Sequence, residues 1–184
     1  MKKLLVEFHA VFLWLMDTIC LLFCENKLKK STSVLLVRLD NIGDFILWSS
    51  SVEHIRKKFN NRKIILVANK SFAKLAKDTG YFDQIISINV RKFKFNIPYR
   101  WHTLIKMSQL NVNIAIHPCF SRNFYVGDTI IRASKATNKV GSSGDLNYTS
   151  TWQRVISDRW YTQINSAADK LLMELDRDIE FLLG

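Results

Sequence analysis

The chain has 184 residues, 48% of them apolar, and its 27 Lys plus Arg against 16 Asp plus Glu leave a net charge of +11. That length suits one domain, which can bury roughly 70% of its unfolded surface and so needs no disulfide or metal staple. The three cysteines, Cys20, Cys24 and Cys119, form no CxxC pair; their odd number argues against a disulfide framework and leaves a reduced, cytoplasmic setting as the default.

The charge is concentrated. Residues 56–106 hold 13 basic and 2 acidic groups, so this one window carries the whole excess of 11. Such a field suits an anionic partner: nucleic acid, a lipid headgroup surface or a phosphorylated substrate. The plainer reading is an ordinary solvated basic face.

The first element follows Met-Lys-Lys and reads LLVEFHAVFLWLMDTICLLFC from Leu4 to Cys24. Glu7 and Asp17 interrupt the apolar run and no small-x-small cleavage site follows, which excludes a signal peptide. The longest stretch without a formal charge, Phe8 to Met16, is far short of the roughly 20 residues that a membrane span needs. At about 100° per residue, Leu4, Phe8, Val11, Phe12, Leu15, Ile19 and Leu22 share one broad face. Glu7, Trp14, Asp17, Thr18 and Leu21 share another, more polar one. Lys2 and Lys3 precede the segment and Lys27, Lys29 and Lys30 follow it. Residues 1–30 are therefore predicted as an amphipathic helix lying in a membrane surface through residues 4–24, apolar side in lipid. Packing on its own domain or on a partner is the alternative. Cys20 and Cys24, four apart, are read as helix packing.

Past Ser31-Thr32-Ser33, strand and helix patterns alternate. A buried strand is predicted at Val34–Leu39, a helix at Phe45–Phe59 and a strand at Lys63–Ala68. A short helix at Ser71–Lys77 closes at Gly80, and a strand follows at Gln84–Asn89. Pro98 precedes a helix at Tyr99–Leu110, and Pro118 stops a strand at Val112–His117. A helix at Asn123–Ser134, a short strand at Lys139–Val140 and a glycine turn at 141–144 come next. A loop-rich stretch then leads to a closing helix at Ala167–Leu183. This alternation predicts an α/β domain over 31–184, a parallel sheet with helices on both faces. Ligands in such sheets bind beyond the carboxyl ends of the strands. Here those ends are Asp40–Asp44, Asn69–Lys70, Val90–Lys94 and His117–Arg122.

The first strand-to-helix turn, Asp40-Asn41-Ile42-Gly43-Asp44, is unusual. A dinucleotide fold would place G-x-G-x-x-G there. This turn has one glycine and two carboxylates, and a carboxylate repels phosphate. Asp44 is expected at the N-cap of the next helix. A carboxylate held there, ionised and exposed, also meets the requirements of a general base, and Gly43 would let a substrate approach the backbone. Capping alone is the structural reading. His117 is read as a packed or loop histidine, His54 as helix surface, and the five tryptophans mostly as packing.

The stretch VLLVRLDNIGDFILWSSSVEHIRKKF, Val34 to Phe59, resembles the opening of glycosyltransferase family 9, the ADP-heptose:lipopolysaccharide heptosyltransferases, with their strand, R-x-D-x-x-G-D-like turn and helix. NIAIHPCFSRN resembles the family's fourth strand and loop, and VGSSGD the short strand after it. YTQIN and ELDRDIEFLLG resemble the end of its N-terminal half. The resemblance covers residues 34–184 and implies the Rossmann-like N-terminal lobe of a GT-B-type transferase. It implies that Asp44 is the catalytic base, removing a proton from an acceptor hydroxyl that attacks the anomeric carbon with inversion. It implies no metal. The acceptor would be an anionic saccharide carried on lipid at the cytoplasmic leaflet, which places the protein peripherally on the inner face of a bacterial inner membrane. Asn41 and Gly43 would meet that acceptor. Arg91, Lys92 and Lys94 after the third strand, and Ser121 and Arg122 after the fourth, are the candidates for its phosphate or carboxylate. No cofactor is expected on this lobe. The nucleotide-sugar donor, such as ADP-heptose, would sit on a C-terminal lobe that the family carries beyond the position of Gly184, with a separate chain as one source of that lobe. Two other readings stay open: an acceptor-binding module without chemistry, and a basic doubly wound domain that binds nucleic acid. Against the latter, aromatic residues do not interleave with the Arg and Lys as a base-stacking platform requires.

Overall fold

A computed structural model describes residues 2–24, 32–168, 173, 176–177 and 180–181, with side chains from residue 7 onward. The elements are α1 (Lys2–Leu22), β1 (Val34–Arg38), α2 (Ile42–Lys58), β2 (Ile64–Asn69), α3 (Ala73–Asp78), β3 (Gln84–Ile88), α4 (Val90–Phe95), α5 (Ile97–Ser108) and β4 (Ile114–His117). A π-helical turn (Phe124–Asp128) runs into α6 (Thr129–Ala133), followed by β5 (Asn138–Ser142), α7 (Thr151–Asp158) and β6 (Gln163–Asn165).

The six strands form one parallel sheet in the order β3-β2-β1-β4-β5-β6. β1 is central, with Val34 opposite Ile64 on one side and Ile114 on the other. Its five residues are all buried, because both faces of the sheet are covered. Side chains alternate along the strand. Val34 and Leu36 pack with Phe45, Trp48 and Val52 of α2. Leu35 and Val37 pack on the other face with Phe93, Leu104 and Ile130. The expected α/β architecture with helices on both faces is what the chain adopts.

Three elements lie where the sequence reading placed none. α4 opens on Asn89, whose side chain accepts from the Lys92 N–H at 3.0 Å. α7 opens on a capping box in which the Ser150 N–H donates to Gln153 at 3.0 Å. The Ser-x-x-Gln spacing was a legible start signal. β6 is a three-residue edge strand beside β5, too short to carry a pattern. The proposed closing helix lies largely outside the described residues: 176–177 and 180–181 are helical, while Ala167 and Ala168 are not.

α1 packs on the domain, and it does so with its polar face. Arg100 of α5, 1% exposed, donates to both oxygens of Asp17, itself 2% exposed, at 2.7 and 2.5 Å. Trp152 Nε1 donates to Glu7 at 2.7 Å, and Arg132 donates to the Thr18 hydroxyl at 2.9 Å. Ala10, Leu13 and Cys20 complete the inward face. Burial raises the Cys20 thiol to about 11, which suits a packing role. Of the predicted apolar face, Phe8, Val11, Phe12, Leu15, Ile19 and Leu22 are exposed, while the side chain of Leu4 lies outside the described set. The lysines expected to flank the helix belong to residues whose side chains, or whole placement, lie outside the described set.

An unpaired charge in the interior costs far more than a lost surface contact. Replacing Asp17 with Ala strands the Arg100 guanidinium and is expected to cost about 3–5 kcal/mol in urea unfolding. Glu7→Ala, which removes one hydrogen bond from a half-buried indole, should cost about 1 kcal/mol. Equal effects would mean that Arg100 does not depend on Asp17.

Candidate functional site

β1 and β4 are neighbours in the sheet, yet their connections leave in opposite directions, so a crevice opens at their carboxyl ends. It is a cleft of about 490 Å³. Asp40, Asn41 and Asp44 line it from the β1 turn, Asn69 from the end of β2, Val90 and Lys94 from α4, and His117, Cys119, Phe120 and Ser121 from the end of β4. All four strand ends marked in the sequence contribute. Asn123, Val126, Gly127 and Tyr148 also line it, and none of these was anticipated.

The turn is built around Arg38. This residue ends β1 completely buried, pairs through Nε with Asp40 at 2.8 Å, and donates through Nη2 to the Asp44 carbonyl at 3.3 Å. Its guanidinium lies 5.4 Å from the centre of the Trp48 ring. Asn69 donates to the Asp40 carbonyl at 3.1 Å, tying the turn to the next strand.

Helix α2 begins earlier than expected, and its N-cap is Asn41 rather than Asp44. Asp44 sits at the third helical position and closes a capping box, its Oδ2 accepting the Asn41 N–H at 3.3 Å. The turn is shorter than the sequence suggested because Ile42 and Gly43 are already helical. A Cβ on Gly43 would meet nothing within 4 Å, so packing does not demand a glycine there.

The two carboxylates stand in different surroundings. Burial raises the Asp40 carboxyl above its ordinary value, against the opposing pull of Arg38 and of the Cys119 thiol, which donates to it at 3.4 Å. Asp40 Oδ2 is thus engaged twice. Asp44 is half-exposed, lines the cleft and accepts one long bond from a backbone N–H, which leaves lone pairs for a substrate hydroxyl. The negative charge of Asp44 adds to the upward shift at Asp40.

The basic candidates separate. Lys94 reaches the cleft wall. Arg91 lines a shallower depression with Lys70, which shares Asn69 and Val90 with the cleft. Lys92 lies farther out, beside Phe95. Ser121 lines the cleft with its hydroxyl donated to Asp145 at 3.0 Å. Arg122 does not line it. It is completely buried, pairs with Asp158, and lies 4.6 Å from the centre of the Tyr161 ring. The loop after β4 turns Ser121 toward the cleft and Arg122 into the interior, where Asp158 and Tyr161 hold it.

The basic window also divides. Arg56, Lys57 and Lys58 end α2, and Arg62 and Lys63 precede β2, at the amino ends of the strands, opposite the cleft. Arg100 is inside the protein. What remains near the cleft is Lys70, Arg91, Lys92 and Lys94.

The cleft floor is a buried polar cluster. His117 Nδ1 lies 3.0 Å from the Tyr161 hydroxyl and 3.4 Å from Asp128. The Tyr161 hydroxyl donates to Asp128 at 2.7 Å, so the Nδ1 proton belongs to His117. Gly127 is essential to this arrangement, because any side chain there would collide with the His117 ring. Burial pushes the Asp128 carboxyl up, but the His117 hydrogen bond and the charges of Arg122 and His117 outweigh it and hold the group at about 2. Burial, then the charge of Asp128, pushes the Tyr161 hydroxyl well above its ordinary value. Among the described residues, no group of three His, Cys, Asp or Glu side chains could hold a metal ion.

Solved structures share this architecture. E. coli heptosyltransferase WaaC, solved with ADP, superposes with a TM-score of 0.63 at 16% sequence identity, over 82% of this chain and 46% of its own. A glycosyl transferase family 9 structure from Veillonella parvula DSM 2008 gives the same TM-score and identity, over 85% of this chain and 41% of its own. The fold is the one these glycosyltransferases carry. The chain spans less than half the length of either structure. No family model and no curated protein matches the sequence. The Rossmann-like, GT-B-type fold expected from the resemblance is thereby established at the level of structure.

Asp128 supplies a pH test of the cleft floor. Its carboxyl, normally at 3.8, is held at about 2. Its ionisation therefore stabilises the fold, fully above pH ~4 and less and less as pH falls toward ~2, by about 2 kcal/mol in all. Asp128→Asn should be weaker at neutral pH yet lose less stability over that acid range. Parallel acid-unfolding curves for the two proteins would remove Asp128 from the account.

Proposed function

We propose that this chain forms the acceptor-binding lobe of an inverting glycosyltransferase of heptosyltransferase type. The observation that carries this reading is Asp44: a half-exposed carboxylate on the wall of a cleft at the β1–β4 switch point. The capping box restrains its carboxylate, and buried Arg38 holds its backbone. A general base must be ionised, accessible and fixed within hydrogen-bond reach of the proton it takes.

The acceptor is an anionic, lipid-linked saccharide. One of its hydroxyls would donate to Asp44, lose its proton as the oxygen attacks the anomeric carbon of the donor, and so form the new glycosidic bond with inversion. Asn41 and Asn69 supply polar contacts along the wall. Lys94 offers a cation for the acceptor's phosphate or carboxylate, with Arg91 and Lys70 beside it. His117 donates inward to the Tyr161–Asp128 pair, which orients its ring at the floor. The donor, a nucleotide-sugar such as ADP-heptose, belongs to a second lobe, because two carboxylates guard the turn where this sheet would otherwise cradle a pyrophosphate.

In a protein that supplies the donor lobe, Asp44→Asn should lower turnover by about 10²–10⁴-fold, the usual worth of a positioned base. The melting temperature should fall little, because the amide oxygen of Asn can still accept the Asn41 N–H. Undiminished turnover would leave Asp44 only its capping role. In the 184-residue chain, calorimetric titration should show salt-sensitive binding of a phosphorylated saccharide that Lys94→Ala weakens by roughly tenfold or more, as expected for the loss of a charged hydrogen bond. Equal affinity in the variant would move the anion site away from Lys94.

A further inference from the structure

α1 is amphipathic, but it is mounted inside out. Glu7, Asp17 and Thr18 bond to the domain, and the apolar stripe faces solvent. Phe8 (73% exposed) and Leu22 (77%) bound a row that includes Val11, Phe12, Leu15 and Ile19. At about 100° per residue these positions fall within one third of the helix circumference. The stripe runs along a helix of 21 residues, about 30 Å long. Soluble surfaces rarely leave so continuous an apolar strip uncovered.

The surroundings indicate what covers it. Both acidic residues in the described part of α1 turn inward, Asp17 to Arg100 and Glu7 to Trp152. The neighbouring elements α4, α5 and α6 contain no acidic residue, the one acidic residue of α7, Asp158, pairs with buried Arg122, and Asp128 in the π-helical turn is completely buried. Arg91 and Lys92 on α4 and Lys106 on α5 are exposed. Phe95, at the end of α4, is exposed and stacks against His9 of α1 with ring centres 6.2 Å apart. An apolar strip fringed by cations and cleared of anions is complementary to an anionic phospholipid surface. It does not cross that surface. No helix among the described residues is long and apolar enough to span a membrane, and the Asp17–Arg100 pair pins this one along the domain.

We infer that the outward face of α1 seats the protein on anionic phospholipid bilayers, with the helix lying in the plane of the interface and its polar side bound to the domain. The lipid face is joined to the cleft through α4, which contributes Lys94 to the cleft wall and Phe95 to the contact with α1. The seating is independent of the catalytic reading and holds whether or not Asp44 is a base.

Flotation of the full chain with vesicles tests it. The protein should rise with phosphatidylcholine–phosphatidylglycerol vesicles and far less with phosphatidylcholine alone, and high salt should weaken the binding without abolishing it. The combined variant Phe12→Gln, Leu15→Gln and Ile19→Gln should partition on the order of 100-fold less well, with an unchanged circular dichroism spectrum. Should that variant fail to fold, Phe8→Gln alone, at one end of the stripe, is expected to reduce partitioning by about tenfold. Absence of flotation by the unaltered protein would overturn the inference, as would full flotation of the folded variants or equal binding to both vesicle types. A concentration-dependent dimer that the combined variant abolishes, in a protein that ignores vesicles, would assign the face to a second copy of the chain instead.

Discussion

A guanidinium keeps its proton inside a protein, so an arginine in the core needs an anion or a ring of acceptors around it. Three arginines of this chain, Arg38, Arg100 and Arg122, are completely or almost completely buried. Arg38 takes Asp40, Arg100 takes Asp17, and Arg122 takes Asp158 with Asp128 nearby. Each pairing places something that matters. The first shapes the turn at the mouth of the sheet, the second orients the N-terminal helix, and the third helps to build the floor beneath the cleft. Apolar packing would accept several orientations of these pieces. The buried charges reject all but one.

The first pairing explains why a strand-to-helix turn that commonly carries glycines for phosphate carries carboxylates here. Asp40 neutralises the arginine below it and is engaged by the Cys119 thiol as well. Asp44 is free of that duty. It remains at the cleft wall, half-exposed, with one long capping bond. One carboxylate serves the fold and the other lines the cleft. Their proximity matters to the first of them, because the charge of Asp44 adds to the upward shift of Asp40.

The second pairing has a larger consequence. An amphipathic helix usually hides its apolar side and shows its polar one. Arg100 reverses that preference for α1. A carboxylate brought to a buried guanidinium, with Glu7 and Thr18 bonded on the same side, holds the polar face against the domain and leaves the aliphatic and aromatic face outward. The contact is specific, since it depends on Arg100, Trp152 and Arg132 from three different helices or their vicinity, and it gives the protein a hydrophobic surface without exposing its core.

Much of this was legible in the chain. The buried run Val34–Leu39, the alternation of strands and helices, and the four strand ends that meet at the cleft follow from local patterning, because apolar period and turn residues act over a few neighbours. The Ser150 and Asn89 helix starts are legible too, in their capping side chains, but the helices they open are too short to carry an apolar period. The two faces of α1 could be drawn from spacing alone. Which face would turn inward could not, because it depends on Arg100, 83 positions away from Asp17. Arg122 looked like a ligand-gripping residue beside Ser121, and only the packing of Asp158 and Tyr161 around it sends it inward. The basic window is one field in the sequence, but β2 carries the chain from one end of the sheet to the other and parts the cations before it from those at the cleft. Sequence determines which residues are local neighbours and what each could do chemically; tertiary structure decides which distant charge each one meets, and a buried charge must go wherever its partner is.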